Sequence, residues 1–281
     1  MACPKTDQLD PDKIKGNLKT NRIGKKVLVY NRTSSTNDIA AEYAKNKKND
    51  GLVVFAEEQT AGRGRAGAKW HSEPADSILC SIVLTDCKLN PELLSLTCAV
   101  AVADGLGKIG GTEAKIKWPN DIILNGEKIA GIMLESTPRF RGGDNIISAK
   151  AGIGNDGNTY IIGIGINCHQ SKDSFPEELQ PIATSIDIES HATVDRISLS
   201  KRLLISVDHW LEVAEQNSKK VTDQWRKLSI QLNHRVKLIY NGREFAGNCI
   251  GIDPEKGLIL QLDTGGVRMF DAAHTTITKQ K

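Results

Sequence analysis

The stretch DIILNGEKIAGIMLE, residues 121–135, constrains the fold most strongly because it predicts a β-hairpin. Two apolar, strand-like runs flank the dipeptide Asn125-Gly126, which suits a two-residue primed turn. Further strand-like runs lie at residues 27–31, 52–58, 77–84, 114–118 and 160–167. Because helical patterns are interleaved with these runs, the sequence predicts an α/β (α+β) main domain.

Two helical segments are especially clear. Asn90 and Pro91 form an N-cap and first-turn pair for ELLSLTCAVAVADGL, which is apolar on most sides and is therefore expected to be buried. Residues 198–213 carry a single apolar stripe and predict an amphipathic helix. A shorter helix is predicted at residues 39–48, after the capping side chains of TSSTND.

The composition changes near residue 230. Beyond it, short strand-like runs are separated by Asn-Gly, Pro-Glu-Lys-Gly and Thr-Gly-Gly turns, which is the pattern of a compact all-β unit. We therefore predict three parts: a loose N-terminal tail at 1–26, a main domain at 27–229 and a small β-barrel at 230–281.

Charge and hydropathy argue against several classes of protein. Lysine and arginine number 37 against 34 acidic residues, and the resulting net charge of +3 is too balanced for a protein that mainly coats nucleic acid. Apolar runs stay well short of the ~20 residues of a membrane span, and the N-terminus lacks the apolar core of a signal peptide. Six scattered cysteines suit buried thiols in a reducing compartment. We expect a cytoplasmic protein.

The segment TAGRGRAGAKW, residues 60–70 and here called the glycine loop, carries the densest chemical signal. Its glycines let backbone N–H groups approach an anion closely, while Arg63 and Arg65 add charge for a diphosphate or a phosphate–carboxylate pair. Trp70 adds a flat apolar wall. A strand follows the motif instead of the helix that a dinucleotide-binding fold requires, so we exclude a Rossmann site. A basic surface turn is the alternative.

Three further clusters each have a structural alternative. Asn120-Asp121 stands where the chain turns into the hairpin, with Lys128 returning towards it; the alternatives are a polar turn and a solvated strand lysine. Ser35-Thr36-Asn37 is explained equally well by helix capping. The glycines of GIGIN, residues 163–167, either make room for a ligand or merely soften a strand.

In this order, the motifs STN, GRGRAGAKW, KWPND, GEKIAGI and GIGIN resemble those of the biotin–protein ligase family, also called holocarboxylase synthetases. The resemblance covers residues 27–281, and the combination of GRGRAGAKW with KWPND is highly specific. It implies a mixed-sheet catalytic domain related to class II aminoacyl-tRNA synthetases, followed by a Src-homology-3-like barrel. It also implies a ligase that makes biotinyl-5′-AMP from biotin and ATP and then biotinylates a carrier lysine.

The resemblance further implies roles for individual residues. Biotin is expected to bind at Ser35, Thr36, Asn37, Gln59, Gly62, Arg63, Lys128 and Gly131. ATP and the adenylate are expected to bind at Arg63, Gly64, Arg65, Trp70, Asn120, Asp121, Lys128 and Asn167. Lys128, Arg63 and Arg65 are the expected catalytic cations, with Asp121 as a Mg²⁺ ligand. With its arginines unpaired, the glycine loop is expected to be mobile until it closes over the adenylate and excludes water.

The implied substrates are biotin, ATP with Mg²⁺, and a biotin carboxyl carrier domain of a biotin-dependent carboxylase. No membrane partner is expected, a homodimer is a candidate assembly, and the residues before 27 are too few for the DNA-binding winged helix of repressor members. Two features depart from the family: Ala68, where a basic residue is frequent, and the long segment 137–159, which has no assigned role. At Ala68 we expect weaker or differently placed phosphate contacts. A lipoate- or octanoate-protein ligase and a non-enzymatic binding module are the alternatives.

Overall fold

The main domain is built on a mixed seven-stranded sheet. The structure is a computed structural model that describes residues 7–136 and 158–278. The strands of the main domain are β1 (Val27–Tyr30), β2 (Val53–Ala56), β3 (Ser77–Cys87), β4 (Lys108–Ile109), β5 (Thr112–Glu113), β6 (Lys115–Lys117), β7 (Asp121–Leu124), β8 (Glu127–Ser136) and β9 (Asn158–Asn167). The sheet order is β1-β2-β3-β9-β8-β7-β6, with β4 and β5 as a separate ribbon. Among the described strands of this sheet, only β1 and β2 run parallel. The long segment 137–159 lies outside the described residues, except for the first two residues of β9.

The Asn-Gly hairpin predicted from the sequence is confirmed. Strands β7 and β8 are antiparallel, and Asn125 and Gly126 both have positive φ angles, 49° and 89°, as a type I′ turn requires. The register pairs Asp121 with Gly131 and brings Lys128 back on the return strand. The hairpin therefore places a carboxylate and an amine on neighbouring strands.

Helices cover both faces of the sheet. They are α1 (Pro11–Lys15), α2 (Thr36–Ala44), α3 (Pro91–Leu106), α4 (Ile186–Ser190), α5 (Arg196–Gln216) and α6 (Ser218–Leu228). Helix α2 packs on one face, and α3, α5 and α6 pack with the large core on the other. The Asn90 side chain accepts a hydrogen bond from the Leu93 N–H, which confirms the predicted cap of α3. Residues 47 and 48, predicted as the end of α2, belong instead to a separate 3₁₀ turn at Lys47–Asn49, which the Asn46 side chain caps.

The first described residues are not a loose tail. Three of their apolar side chains belong to the large core: Leu9, Ile14 and Ile23. The fully buried guanidinium of Arg196 binds Asp7 (Nε to Oδ2, 2.5 Å) and Glu57 (Nη1 to Oε2, 2.8 Å). The expected loose tail is therefore wrong for residues 7–26. The sequence did not reveal this because the apolar side chains of residues 7–26 are widely spaced and give no periodic pattern. Their charged partner, Arg196, lies far away in the sequence.

The C-terminal part is a five-stranded antiparallel sheet. Its strands are β10 (Arg235–Tyr240), β11 (Arg243–Asp253), β12 (Gly257–Leu262), β13 (Val267–Phe270) and β14 (Thr275–Ile277), in the order β13-β12-β11-β10-β14. Buried apolar side chains form its interior: Val236, Leu238, Cys249, Leu258, Leu260 and Phe270. The predicted fold class, a mixed-sheet α/β domain with a small barrel, is confirmed. The exact boundary between the two parts stays a prediction.

Two predictions about apolar character can be compared with the structure. The five described cysteines are all buried, and burial raises the pKa of the Cys80 thiol to about 12, which agrees with the predicted role as small buried thiols. Within the described residues, no helix combines the length and apolar character needed to cross a bilayer.

Candidate active site

An inner cavity of about 230 Å³ lies between the central strands and the glycine loop. The structure brings together most of the predicted site residues around it: Ser35, Thr36, Asn37, Gln59, Arg63, Gly64, Arg65, Trp70, Asn120, Asp121, Lys128 and Gly131. They come from the start of α2, the end of β2, the glycine loop and the β6–β8 segment. Only the folded sheet makes them neighbours.

Neutral side chains line one part of the inner cavity. Gln59 Oε1 accepts from the Thr36 N–H at 2.7 Å and from the Thr36 hydroxyl at 2.9 Å. The Ser81 hydroxyl donates to Asn37 Oδ1 at 2.5 Å and lies 2.7 Å from Thr36 Oγ1. This part of the cavity therefore suits a ligand with neutral donors and acceptors.

Helix capping does not account for Ser35-Thr36-Asn37. Ser35 occupies the N-cap position of α2, yet its side chain makes no capping hydrogen bond within the described residues. The side chains of Thr36 and Asn37 turn to Gln59 and Ser81. The trio therefore belongs to the cavity wall.

Three strand glycines make room for side chains above the sheet. A methyl group at Gly163 would lie 2.4 Å from Asn37 Oδ1, and a methyl group at Gly165 would lie 2.6 Å from the Trp70 ring. On the neighbouring strand, a methyl group at Gly131 would lie 3.0 Å from the same ring. Gly131 pairs directly with Gly165. These glycines give space to the cavity wall, so strand softening is not needed to explain them.

Lys128 and Asp121 form an ion pair at the other part of the cavity. Lys128 Nζ lies 2.5 Å from Asp121 Oδ1 and 5.9 Å from the centre of the Trp70 ring. The Lys128 side chain is 34% exposed, so it is not a freely solvated strand lysine. The described residues contain no group of three His, Cys, Asp or Glu side chains placed to hold a metal ion. A metal held by these side chains alone therefore does not fit, and Asp121 as a Mg²⁺ contact stays a prediction.

Arg63 is held by two carboxylates. Its Nε and Nη2 donate to the two oxygens of Glu135 at 3.0 and 3.1 Å, and Nη2 also lies 2.8 Å from Asp38 Oδ1. Glu135 accepts a further hydrogen bond from Asn37 Nδ2 at 2.8 Å. The bonds to Glu135, and then those to Asp38, raise the pKa of Arg63. Arg63 therefore ties the glycine loop to β8 and α2.

Arg65 joins the glycine loop to the hairpin and to the barrel. Its Nη1 donates to Asn120 Oδ1 at 3.2 Å, and its Nη2 donates to the carbonyl oxygens of Ala272 and of Thr275, the latter at 3.3 Å. Burial lowers the pKa of Arg65, and nearby acids led by Asp121 oppose that shift. The expectation that the loop arginines lack partners is therefore wrong, because acceptors far away in the sequence hold both of them.

An outer cavity of about 920 Å³ opens beside the inner one and shares the glycine loop with it. Trp70 and Gln170 border it, and Trp70 Nε1 and Gln170 Oε1 are buried without a hydrogen-bond partner in the described part of the chain. Gln170 is 3% exposed, and its amide nitrogen donates to Ser77 Oγ at 2.6 Å, which fixes the orientation of the unpartnered oxygen. Two residues at the border of the outer cavity thus each carry one buried polar atom, a donor on Trp70 and an acceptor on Gln170, without a partner in the described part of the chain.

Comparison with known proteins decides the family. The sequence profile of the biotin/lipoate A/B protein ligase family matches residues 29–150. The bifunctional ligase/repressor BirA of Bacillus spizizenii is 34% identical over 274 residues, which cover 95% of this chain and 79% of that protein. The chain belongs to the biotin–protein ligase family. A second relative of this chain is the biotin–[acetyl-CoA-carboxylase] ligase of Paracoccus denitrificans. It is 31% identical, and the match covers 83% of this chain and 93% of that protein.

Solved structures of the biotin–protein ligase family share the fold. The ligase from Aquifex aeolicus in complex with biotin and ATP gives a TM-score of 0.75 at 24% identity, covering 91% of this chain and all (100%) of that chain. The ligase from Leishmania major in complex with biotinyl-5-AMP gives a TM-score of 0.55 at 22% identity, covering 88% and 99% of the two chains. At these identities the likeness establishes the fold alone.

Two of the predicted site residues lie apart from the others. Asn167 lines neither cavity in the described part of the chain, and its amide nitrogen donates to the Thr184 carbonyl at 2.9 Å. Gly62 borders only the outer cavity. Sequence analysis missed Glu135 and Gln170. Strand alternation from Gly131 places Glu135 on the cavity side, a usable signal, whereas no sequence pattern singles out Gln170.

Proposed function

We propose that this chain is a biotin–protein ligase that works in two steps. The biotin carboxylate first attacks the α-phosphorus of ATP, which gives biotinyl-5′-AMP and releases pyrophosphate. The amine of a carrier lysine then attacks the acyl carbon of this mixed anhydride, which gives an amide and releases AMP. The names of relatives that cover most of the chain support a carboxylase carrier as the acceptor.

The polarity of the inner cavity carries the proposal. Along β9, Gly163 lies under Asn37, and two residues further Gly165 lies under Trp70 and pairs with Gly131 of the hairpin. The cavity therefore runs from neutral groups to the Lys128–Asp121 pair. A cyclic urea presents two N–H donors and one carbonyl acceptor, which match the neutral groups. A carboxylate at the opposite end of the ligand lies beside Lys128.

In the first step, two anions have to approach each other. Lys128, Arg63 and Arg65 reduce their repulsion by placing positive charge where negative charge gathers. Each of these cations is paired with a protein acceptor before the substrate arrives, so ATP and biotin replace existing partners. Mg²⁺ would enter with ATP as part of the substrate and would neutralise phosphate charge, with Asp121 as the nearby carboxylate that could contact it.

The outer cavity suits the purine ring of ATP. An aminopurine edge carries both donors and acceptors, and two residues that border this cavity, Gln170 and Trp70, each have one unpaired polar atom. The flat Trp70 ring offers a stacking surface. With the purine in the outer cavity and biotin in the inner cavity, the reacting carboxylate and α-phosphate meet under the glycine loop, where water is excluded from the adenylate.

Pyrophosphate exchange with different acids tests the proposal. Biotin should support exchange between ATP and labelled pyrophosphate, whereas lipoate and octanoate at the same concentration should support it about a thousandfold less. A dithiolane or an alkyl chain makes none of the hydrogen bonds that a cyclic urea makes to these neutral groups, and each lost hydrogen bond costs about 0.5–1.5 kcal/mol. Asp263→Ala, on the barrel surface, serves as a control that keeps full activity. Equal rates with lipoate would show a lipoate ligase, and no exchange with any acid would show a binding module.

The finer partner assignments need separate experiments. Biotin transfer to a purified carrier domain, read by mass spectrometry, identifies the acceptor. A homodimer, the absence of DNA binding and a cytoplasmic location stay predictions. Sedimentation of the full chain and a DNA mobility-shift assay test the first two.

A further inference from the structure

The barrel touches the glycine loop at one short segment. Residues 271–275, here called the barrel turn, are the connection from β13 to β14 together with the first residue of β14. The carbonyl oxygens of Ala272 and Thr275 in this turn both accept from Arg65 Nη2. Arg65 therefore takes its position from the barrel as well as from Asn120 of the main domain. Anything that sets the place of the barrel turn also sets the place of Arg65.

Glu92 holds the barrel turn from the opposite side. It lies in the first turn of α3 and is 8% exposed. Its Oε1 accepts the backbone N–H of Ala272 at 2.7 Å, whereas its Oε2 has no partner in the described part of the chain. Burial raises the pKa of Glu92 to about 7; the Ala272 N–H, Arg65 and His274 oppose this shift, and Asp271 adds to it. Burying a carboxyl group with one oxygen unpaired lowers the stability of the fold, which indicates that Glu92 has a role beyond packing.

The barrel turn itself is braced. The Tyr240 hydroxyl donates to Asp271 Oδ2 at 2.7 Å, and the His274 N–H donates to Asp271 Oδ1 at 3.0 Å. The Thr275 hydroxyl donates to the Asp271 carbonyl at 2.5 Å. Because these bonds stiffen the turn, a shift at Ala272 moves both carbonyl oxygens that hold Arg65.

We propose that Glu92 is a positioning residue for Arg65, acting through the barrel turn. The proposal rests on the proposed function, in which Arg65 meets the phosphates. Residue 272 is the link: its N–H is held by Glu92 and its carbonyl oxygen holds Arg65. Biotin, which is held by Thr36, Asn37 and Gln59, lies outside this chain of contacts.

Two variants of Glu92 test the proposal in the full chain. Glu92→Ala removes the acceptor and should raise the KM for ATP in pyrophosphate exchange about tenfold, while the Kd for biotin alone, measured by calorimetry, stays unchanged. Glu92→Gln keeps a carbonyl oxygen for the Ala272 N–H and should restore the KM for ATP to within about twofold of the unsubstituted protein. Asp263→Ala is the matched control, because Asp263 forms an exposed ion pair with Arg235 of the barrel and has no part in these contacts.

Limited trypsin digestion gives a second readout that does not depend on activity. Glu92→Ala should speed cleavage after Arg65 relative to cleavage after the exposed Arg243, and Glu92→Gln should not. An unchanged KM for ATP in Glu92→Ala overturns the proposal, and so does an equal loss of ATP and biotin binding. If the unsubstituted protein shows no biotin-dependent exchange, the proposed function fails, and the digestion alone then decides whether Glu92 holds Arg65.

Discussion

Gly165→Ala tests whether the Trp70 ring forms the wall of the inner cavity. The added methyl group would lie 2.6 Å from ring atoms Cε2 and Cζ2 and 3.0 Å from Cδ2. Carbon atoms normally pack at about 3.5–4.0 Å, so the ring has to retreat by roughly 1 Å. Overpacking of this kind costs about 1–3 kcal/mol. Because Trp70 ends the glycine loop, that cost falls on the closed loop, and we expect kcat/KM for biotin-dependent exchange to fall about 5- to 150-fold.

The assay is steady-state pyrophosphate exchange with a matched control. Gly251→Ala also adds a methyl group to a strand glycine, but its nearest neighbour, Ile259 Cδ1, lies at an ordinary 3.8 Å. It should leave exchange within about twofold of the unsubstituted protein. In a Trp70→Ala background the methyl group at residue 165 has no ring to meet, so the two substitutions should be strongly non-additive. An additive result, or a Gly165→Ala variant with normal exchange, would refute the reasoning.

Three further substitutions give separate tests. Lys128→Ala should lower exchange about 100-fold and the affinity for biotin far less, because the charge acts where two anions converge; equal losses in exchange and in calorimetric affinity would contradict this role. Glu135→Gln weakens the anchor of Arg63, so biotin should dissociate about tenfold faster in stopped-flow fluorescence, and an unchanged rate argues against the anchor. Glu92 has its pKa raised from 4.5 to about 7 when folded, so it contributes stability that is present below pH 4.5 and lost as the pH rises through 7. Relative to Glu92→Gln, the free energy of unfolding of the unsubstituted protein should therefore fall by about 3 kcal/mol between pH 4.5 and 8. Denaturant titrations that give the two proteins parallel pH profiles would exclude a raised pKa at Glu92.

Local rules predicted the elements well, because each rule acts over a few residues. The Asn125-Gly126 turn fixes two positive φ angles and hence a hairpin. The Asn90-Pro91 pair fixes the start of α3, whose apolar surface requires burial. The glycine and arginine pattern of the glycine loop likewise pointed to an anion site. Glu135 was within reach of the same reasoning, since strand alternation places it on the same face of the sheet as Gly131.

Partners that lie far apart in the sequence could not be predicted in this way. Arg63 meets Glu135 and Asp38, and Arg65 meets carbonyl oxygens of the barrel, so the apparently unpaired arginines are both held. Asn167 was predicted to contact the ligand, yet its amide nitrogen donates to the backbone carbonyl of Thr184. Hydrogen bonding is short-ranged and depends on direction, so a partner exists only once the fold has set distance and angle.

The sequence by itself determined the hairpin, the capped helix α3, the small barrel and the types of side chain at the site, because turns, caps, periodicity and side-chain types are local properties. The tertiary structure alone decided that residues 7–26 join the core, that Gly165 makes room for Trp70, and that Glu92 and Arg65 meet at the barrel turn. Burial and packing depend on which surfaces the whole chain brings together. No short stretch of residues contains that information.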